Sequence, residues 1–229
     1  ISINKMSKKI LFLTGTRADF GKIKSLIQIL EAHPEFEPFI FVTGMHLQKE
    51  YGYTLLEVER CGFTNIHTFE NHTHETTMDL TLAKTIEGLS AYVKQCEPDM
   101  IVIHGDRVEA LAGAIVGSLN NILVSHIEGG EVSGTIDELI RHSTSKMSHV
   151  HFVSNKQAKK RLIQMGELEN AIFTIGSPDV DIMFSTTLPN LETAKQYYEI
   201  AFDTYAVAMF HPVTTEVKFM QEYADNFVD

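Results

Sequence analysis

Short apolar runs recur along the chain, at 9–14 (KILFLT), 38–43 (PFIFVT), 65–69, 100–104 (MIVIH), 122–126 (ILVSH), 150–154 and 172–175. They limit the fold more than any other feature. Successive side chains of a strand point to opposite faces, so runs that are apolar at consecutive positions describe strands buried on both sides. Between most of them lie stretches with apolar residues at helical spacing: 22–32, 76–95, 108–119, 136–147 and 156–165. Strands that alternate with helices form a parallel sheet covered on both faces. Right-handed crossovers then make a doubly wound, Rossmann-like α/β domain the expected arrangement.

In such a domain ligands bind beyond the carboxyl ends of the strands, so the residues there matter most. Those ends carry Thr14-Gly15-Thr16-Arg17, Thr43-Gly44, His104-Gly105-Asp106, His126-Ile127-Glu128-Gly129-Gly130 and Gly176-Ser177-Pro178-Asp179. Glycines, acids and an arginine thus collect on one rim. After Gly176 the rhythm loosens. Positions 186–190 read as a linker, 191–200 as a helix, 205–210 (YAVAMF) as a fresh strand, 211–215 as its loop, and the remainder as a further helix. A chain of 229 residues, at roughly 100–200 per domain, amounts to about one and a half domains. The expected division is a first domain at 1–185 and a linker with the opening βα unit of a truncated second domain at 186–229. The natural start is read at Met6.

Thirty acidic against nineteen basic residues leave a net charge of −11, which disfavours nucleic acid and anionic membranes as partners. The apolar run near the start is too short to span a bilayer. Cys61 and Cys96 form no CxxC pair or disulfide framework, and the expected compartment is the cytoplasm.

GTRADFGKI, at 15–23, departs from a Walker A loop, because five residues separate Gly15 from Gly21 and Ile23 stands where Ser or Thr is required. It fails GxGxxG as well. A helix N-terminus with an arginine remains, which reads either as an anion site or as a capped turn with a surface Arg17. Asp106 follows an apolar strand in N-cap position, where capping alone accounts for an Asp at about 1 kcal/mol. The stretch HIEGGEVSGTIDELIRH, at 126–142, is the densest in acids and glycines. Asp137 and Arg141, and likewise Glu138 and His142, are four apart and share a helix face. Read blandly, they are surface pairs of about 0.3–0.5 kcal/mol each. His126-x-Glu128 lacks the P-C-x-x-C of zinc deaminases, and His67, His72, His74, His149 and His151 lack partners at ligand spacing, so no metal is expected. No G-x-S-x-G elbow is present. Carboxylates without a nucleophile suit proton transfer, and Arg and His suit a phosphate-bearing leaving group.

With GTRADFG, VTGMH, HGDR, HIEGGEVSGTIDELIRH, IGSPDVD and FHPVT, the chain resembles the UDP-N-acetylglucosamine 2-epimerases of the hydrolysing, sialic-acid-pathway type, from about Lys8 to its end. Non-hydrolysing relatives look instead like HVEAGLRT with a later PEExNR. The resemblance implies a glycosyltransferase-B-type two-domain fold with the active site in the cleft, no cofactor, and a homo-oligomer, dimer or tetramer. It also implies a reaction in which UDP-N-acetylglucosamine and water give N-acetylmannosamine and UDP through 2-acetamidoglucal. Asp106 and Glu128 match the family's acid/base carboxylates, and Asp137 its third acid. His211 matches the histidine beside the departing phosphates and Arg17 a nucleotide-contacting arginine. Gly15, Thr16, Glu131, Arg141 and Ser177 look like supporting residues of the UDP-sugar pocket. Most of the family's uridine pocket lies in the second domain, so residues 1–229 alone are expected not to turn over. UDP-N,N′-diacetylbacillosamine as the substrate, a glycosyltransferase of the same fold class and a non-catalytic sugar-nucleotide sensor remain open as alternatives.

Overall fold

A computed structural model describes residues 7–72, 77–186, 188–210 and 218–228. Among them the chain divides into two compact units, 1–185 and 186–229. The larger is built on a seven-stranded sheet in the order β3-β2-β1-β4-β5-β6-β7. The strands are β1 (Lys8–Thr14), β2 (Phe36–Val42), β3 (Ile66–Thr68), β4 (Met100–His104), β5 (Leu123–Ile127), β6 (Val150–Val153) and β7 (Ile172–Thr174). Every neighbouring pair is parallel. The main crossover helices are α1 (Arg17–Glu31), α3 (Met78–Cys96), α4 (Val108–Leu119), α5 (Ile136–Lys146) and α6 (Lys156–Gln164). This is the doubly wound α/β arrangement that the apolar runs predict.

Alternation along β1 divides the core into two layers. Leu11 and Leu13 pack with Leu89, Ile101, Ile103, Ala114 and Val124 on the face covered by α3 and α4. Ile10 and Phe12 pack with Ile23, Ile27, Ile40 and Val102 on the face covered by α1. Fully burying such a side chain stabilises the fold by about 1.5–3 kcal/mol, and both layers draw on the same strand.

Most elements lie within two residues of the pattern-based expectation, and the larger departures have local reasons. Helix α1 begins at Arg17 rather than at 22, because Thr16 caps it by accepting from the Asp19 N–H. Two short helices, α2 (Leu55–Glu59) and α7 (Asp179–Met183), have too few turns to leave a periodic signal.

The smaller unit contains α8 (Leu191–Tyr197), capped by Asn190, and α9 (Met220–Val228). Helix α8 stops short of 200, with Glu199 in the left-handed region at φ 55°. The expected strand at 205–210 is not formed: its backbone has no ladder partner among the described residues, and Val207 and Met209 are exposed. An apolar run becomes a strand only when another strand satisfies its N–H and C=O groups. The expected loop at 211–215, with His211, lies outside the described residues.

Candidate active site

The strand order reverses between β1 and β4, and the loops that leave the carboxyl ends of these two strands and of β5 meet there. His104, the last residue of β4, lies between two carboxylates. Its Nδ1 is 3.3 Å from Asp19 Oδ1 and its Nε2 is 2.9 Å from Glu128 Oε2. Burial alone would lower the imidazole pKa. The hydrogen bonds and charges of Asp19 and Glu128 outweigh it and push the group up to about 9, so the ring is an imidazolium at neutral pH. Asp19 is buried and also accepts from the Gly15 N–H and the Thr16 hydroxyl. Burial would raise its carboxyl, but His104 chiefly, then Arg107 and Thr16, hold it below its ordinary value.

Glu128 sits just past β5 with φ 61°, a conformation that side-chain-bearing residues rarely adopt. Its Oε1 accepts from Lys22 Nζ at 3.0 Å, Ser177 Oγ at 2.8 Å and Ser154 Oγ at 3.4 Å. Burial works to raise its pKa; His104, Ser177 and Lys22 reverse this and bring it down to about 2. Lys22 also reaches Asp179 Oδ2 at 2.6 Å and Ser177 Oγ at 2.9 Å. Burial disfavours its charge, yet bonding to Asp179 and Glu128 raises it above the ordinary lysine value. Asp19, His104, Glu128, Lys22 and Asp179 therefore form one line of alternating charges.

Beside this line, Asp106, Arg107, Glu109, Asp137 and His72 line a cavity of about 170 Å³. The Arg141 guanidinium donates to Asp106 and, at 3.4 Å, to Ser133 Oγ. Two expectations are corrected here. Asp106 does not cap α4, because the cap position falls one residue later, on Arg107, which makes no side-chain bond; the Asp106 carboxylate instead takes a bond from Arg141. Nor does Arg141 pair along its helix with Asp137, which instead accepts from the Thr135 hydroxyl at 2.8 Å. Glu138 and His142 do pair, at 3.8 Å.

Thr16 and Arg17 line a second, wider cavity of about 430 Å³ with Met45, Tyr51 and Asp179. Arg17 is exposed and only loosely paired with Glu57, at 3.8 Å. Glu131 accepts from Asn155 at 2.7 Å, which steadies the loop ahead of α6. Of the residues singled out from sequence, Asp106, Asp137 and Arg141 come together, Glu128 and Ser177 join the charged line, and Gly15, Thr16 and Arg17 turn around the start of α1. Sequence reasoning missed Asp19, Lys22 and Glu109, and placed His104 and Asp179 on the rim without giving them a role. Asp19 and Lys22 are three apart on α1, a spacing that puts both on one helix face beside a strand end.

Among the described residues no group of three or more His, Cys, Asp or Glu could hold a metal ion. No helix among them is long and apolar enough to cross a membrane. Cys61 and Cys96 are free thiols, the latter buried and pushed up to about 11, chiefly by that burial.

The family model described as UDP-N-acetylglucosamine 2-epimerase matches residues 28–227. The chain is 52% identical to the UDP-N-acetylglucosamine 2-epimerase of Neisseria meningitidis serogroup B, over 96% of this chain and 58% of that protein. It is 37% identical to the UDP-N,N′-diacetylbacillosamine 2-epimerase (hydrolyzing) of Legionella pneumophila, over 93% of this chain and 57% of that protein. Among solved structures, a UDP-GlcNAc 2-epimerase from Neisseria meningitidis bound to UDP-GlcNAc superposes with a TM-score of 0.74 at 22% identity, covering 85% of this chain and 53% of the other. The chain thus spans less than two thirds of the length of the relatives it matches.

Proposed function

The chain belongs to the UDP-N-acetylglucosamine 2-epimerase family, and from that premise we propose that it carries the acid–base part of a hydrolysing UDP-N-acetylglucosamine 2-epimerase. The reaction would convert UDP-N-acetylglucosamine and water to N-acetylmannosamine and UDP, for sialic-acid-type sugar synthesis in the cytoplasm. The observation that carries this reading is the presence of three carboxylates past the carboxyl ends of β4 and β5: Glu128 in the charged line, and Asp106 with Asp137 lining one cavity. Elimination of UDP needs a base for the C2 proton as the C1–O bond breaks, and a second group to return a proton to the opposite face. Asp106 and Asp137 face one cavity, which suits removal and return of a proton at one carbon. Glu128, held near 2 by His104, Ser177 and Lys22, enters the reaction as a carboxylate. It can accept a proton or face positive charge building at C1, but it does not arrive protonated at neutral pH.

Arg17 and the start of α1 are assigned to the nucleotide, His211 to the departing phosphates, and Arg141 to orienting Asp106. The free thiols fit a reducing compartment, and a homo-oligomer follows the family reading. The higher identity to the N-acetylglucosamine enzyme than to the diacetylbacillosamine one supports the choice of sugar.

The test uses the full open reading frame that contains this chain. Purified protein is incubated with UDP-N-acetylglucosamine in D₂O, with UDP release and product sugar followed by NMR. N-acetylmannosamine carrying deuterium at C2 is expected. Product without deuterium, as a glycosyl transfer would give, overturns the chemistry. A higher kcat/KM on UDP-N,N′-diacetylbacillosamine overturns the substrate.

A further inference from the structure

We propose that His104 is a positioning residue that acts through Glu128: its doubly bonded imidazolium fixes the Oε2 edge of that carboxylate and keeps it ionised for its step. The inference rests on the functional reading above and adds a residue to it.

Three observations carry it. His104 is nearly enclosed, with 10% of its side chain exposed, and each ring nitrogen faces a carboxylate oxygen. Two carboxylate acceptors require two N–H donors, so the ring is satisfied only when it carries both protons. Glu128 hangs from a left-handed backbone position that fixes where its side chain starts but not how its carboxylate is turned. His104 supplies that restraint on one oxygen, while Lys22 and Ser177 supply it on the other.

Asp19 has the supporting part. Its Oδ1 takes the far side of the imidazole, while its Oδ2 is anchored by the Thr16 hydroxyl and the Gly15 N–H. The ring is thereby held by the first strand–helix turn and cannot swing away from Glu128. The charges around it come from every neighbouring element: Asp19 and Lys22 on α1, Arg107 past β4, His126 on β5, Glu128 past β5, and Asp179 through Lys22. His126 is buried and neutral, brought to about 3 first by burial, so it adds no competing charge. The two carboxylates that touch the ring directly outweigh the more distant cations Lys22 and Arg107, the former already paired with Asp179, so the local balance favours the doubly protonated ring. Losing that proton with rising pH would leave Glu128 facing a lone pair or a rotated ring, and the site should weaken on its alkaline side.

The experiment compares the full-length protein with its His104→Ala and His104→Gln variants. A charge-assisted hydrogen bond removed from the reacting centre lowers kcat by about 10- to 150-fold, with KM for the UDP-sugar within about threefold. Gln restores a donor toward Oε2 without the charge, so it should recover part of kcat. The native enzyme is expected to lose activity on the alkaline side near pH 9, and that limb should disappear in the Gln variant. A residue that merely fills space would not move that limb. Native kcat and an unchanged pH profile in both variants overturn the proposal.

A second arm does not depend on turnover. ¹⁵N-histidine NMR of the native protein should show one ring still doubly protonated at pH 8, absent from the His104→Gln spectrum and shifted to an ordinary titration by Glu128→Gln. If the ring that the His104→Gln variant lacks titrates near 6.5 in the native protein, the proposal is overturned. Should the native protein release no UDP from either sugar, the functional reading fails, and the NMR arm still decides whether His104 is held as described.

Discussion

Replacing Gly130 with alanine tests whether the HIEGGE loop is dictated by sterics. Gly130 has φ 78°, and a Cβ there would lie 2.6 Å from the Ala158 carbonyl oxygen and 3.0 Å from Leu162 Cγ. The Arg161 guanidinium donates to the Gly130 carbonyl, so the loop and α6 are clamped from both sides. The left-handed backbone costs a non-glycine residue about 1–2 kcal/mol. Forcing the α6 backbone away adds about 1–3 kcal/mol, as overpacking typically does. Stiffening the unfolded chain returns about 0.4–1 kcal/mol. The net loss is centred on about 3 kcal/mol, and with an m-value of about 2 kcal/mol/M in urea the unfolding midpoint should fall by roughly 1.5 M. Urea unfolding of the 229-residue chain, followed by far-UV circular dichroism, measures it. Gly134→Ala is the control, since a Cβ there meets nothing within 4 Å. Its midpoint should move by no more than about 0.5 kcal/mol in equivalent stability. Equal midpoints for the two variants would refute the steric reasoning, and with it the claim that this glycine is required by close approach.

Two further outcomes follow from the same geometry. His46, lodged between the Thr14 and Thr54 hydroxyls, and His126 are buried, and that burial brings them to about 4 and about 3. Folded values depressed below the unfolded 6.5 mean that their contribution is whole above pH 6.5 and is lost as pH falls towards 4 and 3. The slope approaches about 1.4 kcal/mol per pH unit for each group. Urea midpoints should therefore drop between pH 7 and pH 5, and His126→Asn should flatten the drop; a constant native midpoint would contradict this. Arg141→Lys gives up the planar fork that holds Asp106 and should lower kcat of the full-length protein about tenfold with its circular dichroism spectrum unchanged, whereas native kcat would show that Asp106 does not depend on it.

The fold was legible because strands such as Met100–His104 and helices such as Val108–Leu119 are long enough to show their period, and both match their expected bounds. The 205–210 run looked like a strand for the same reason, but pairing is a property of two segments and cannot be read from one. The site was legible in part. Glycines and acids at strand ends marked Asp106 and Glu128, because loops there carry no packing duty. Helix spacing misled at Arg141, where a partner from another loop outcompeted the one four residues away. Asp19 and Lys22 stand inside GTRADFGKI yet look like ordinary helix charges, and only the β1–β4 adjacency brings Asp19 to His104. Buried charge becomes visible when its partners are in place, and these lie on separate βα units.

That dispersal governs how the protein is made. Lys22 lies on the first helix, yet two of its bonding partners, Glu128 and Ser177, are 106 and 155 residues further along. Parallel pairings at such separations are slow to form, because loop closure must precede the contacts that reward it. In a chain that emerges from its N-terminus, β1, β2 and β3 are available well before the partners that Lys22 meets past β5 and β7. Only after β5 has docked and the segment past β7 has closed over the rim is every charge in the line answered. Assembly of the charged line is thus expected late in folding, and a kinetic probe placed on Lys22 should report completion of the whole sheet rather than formation of the helix that carries it.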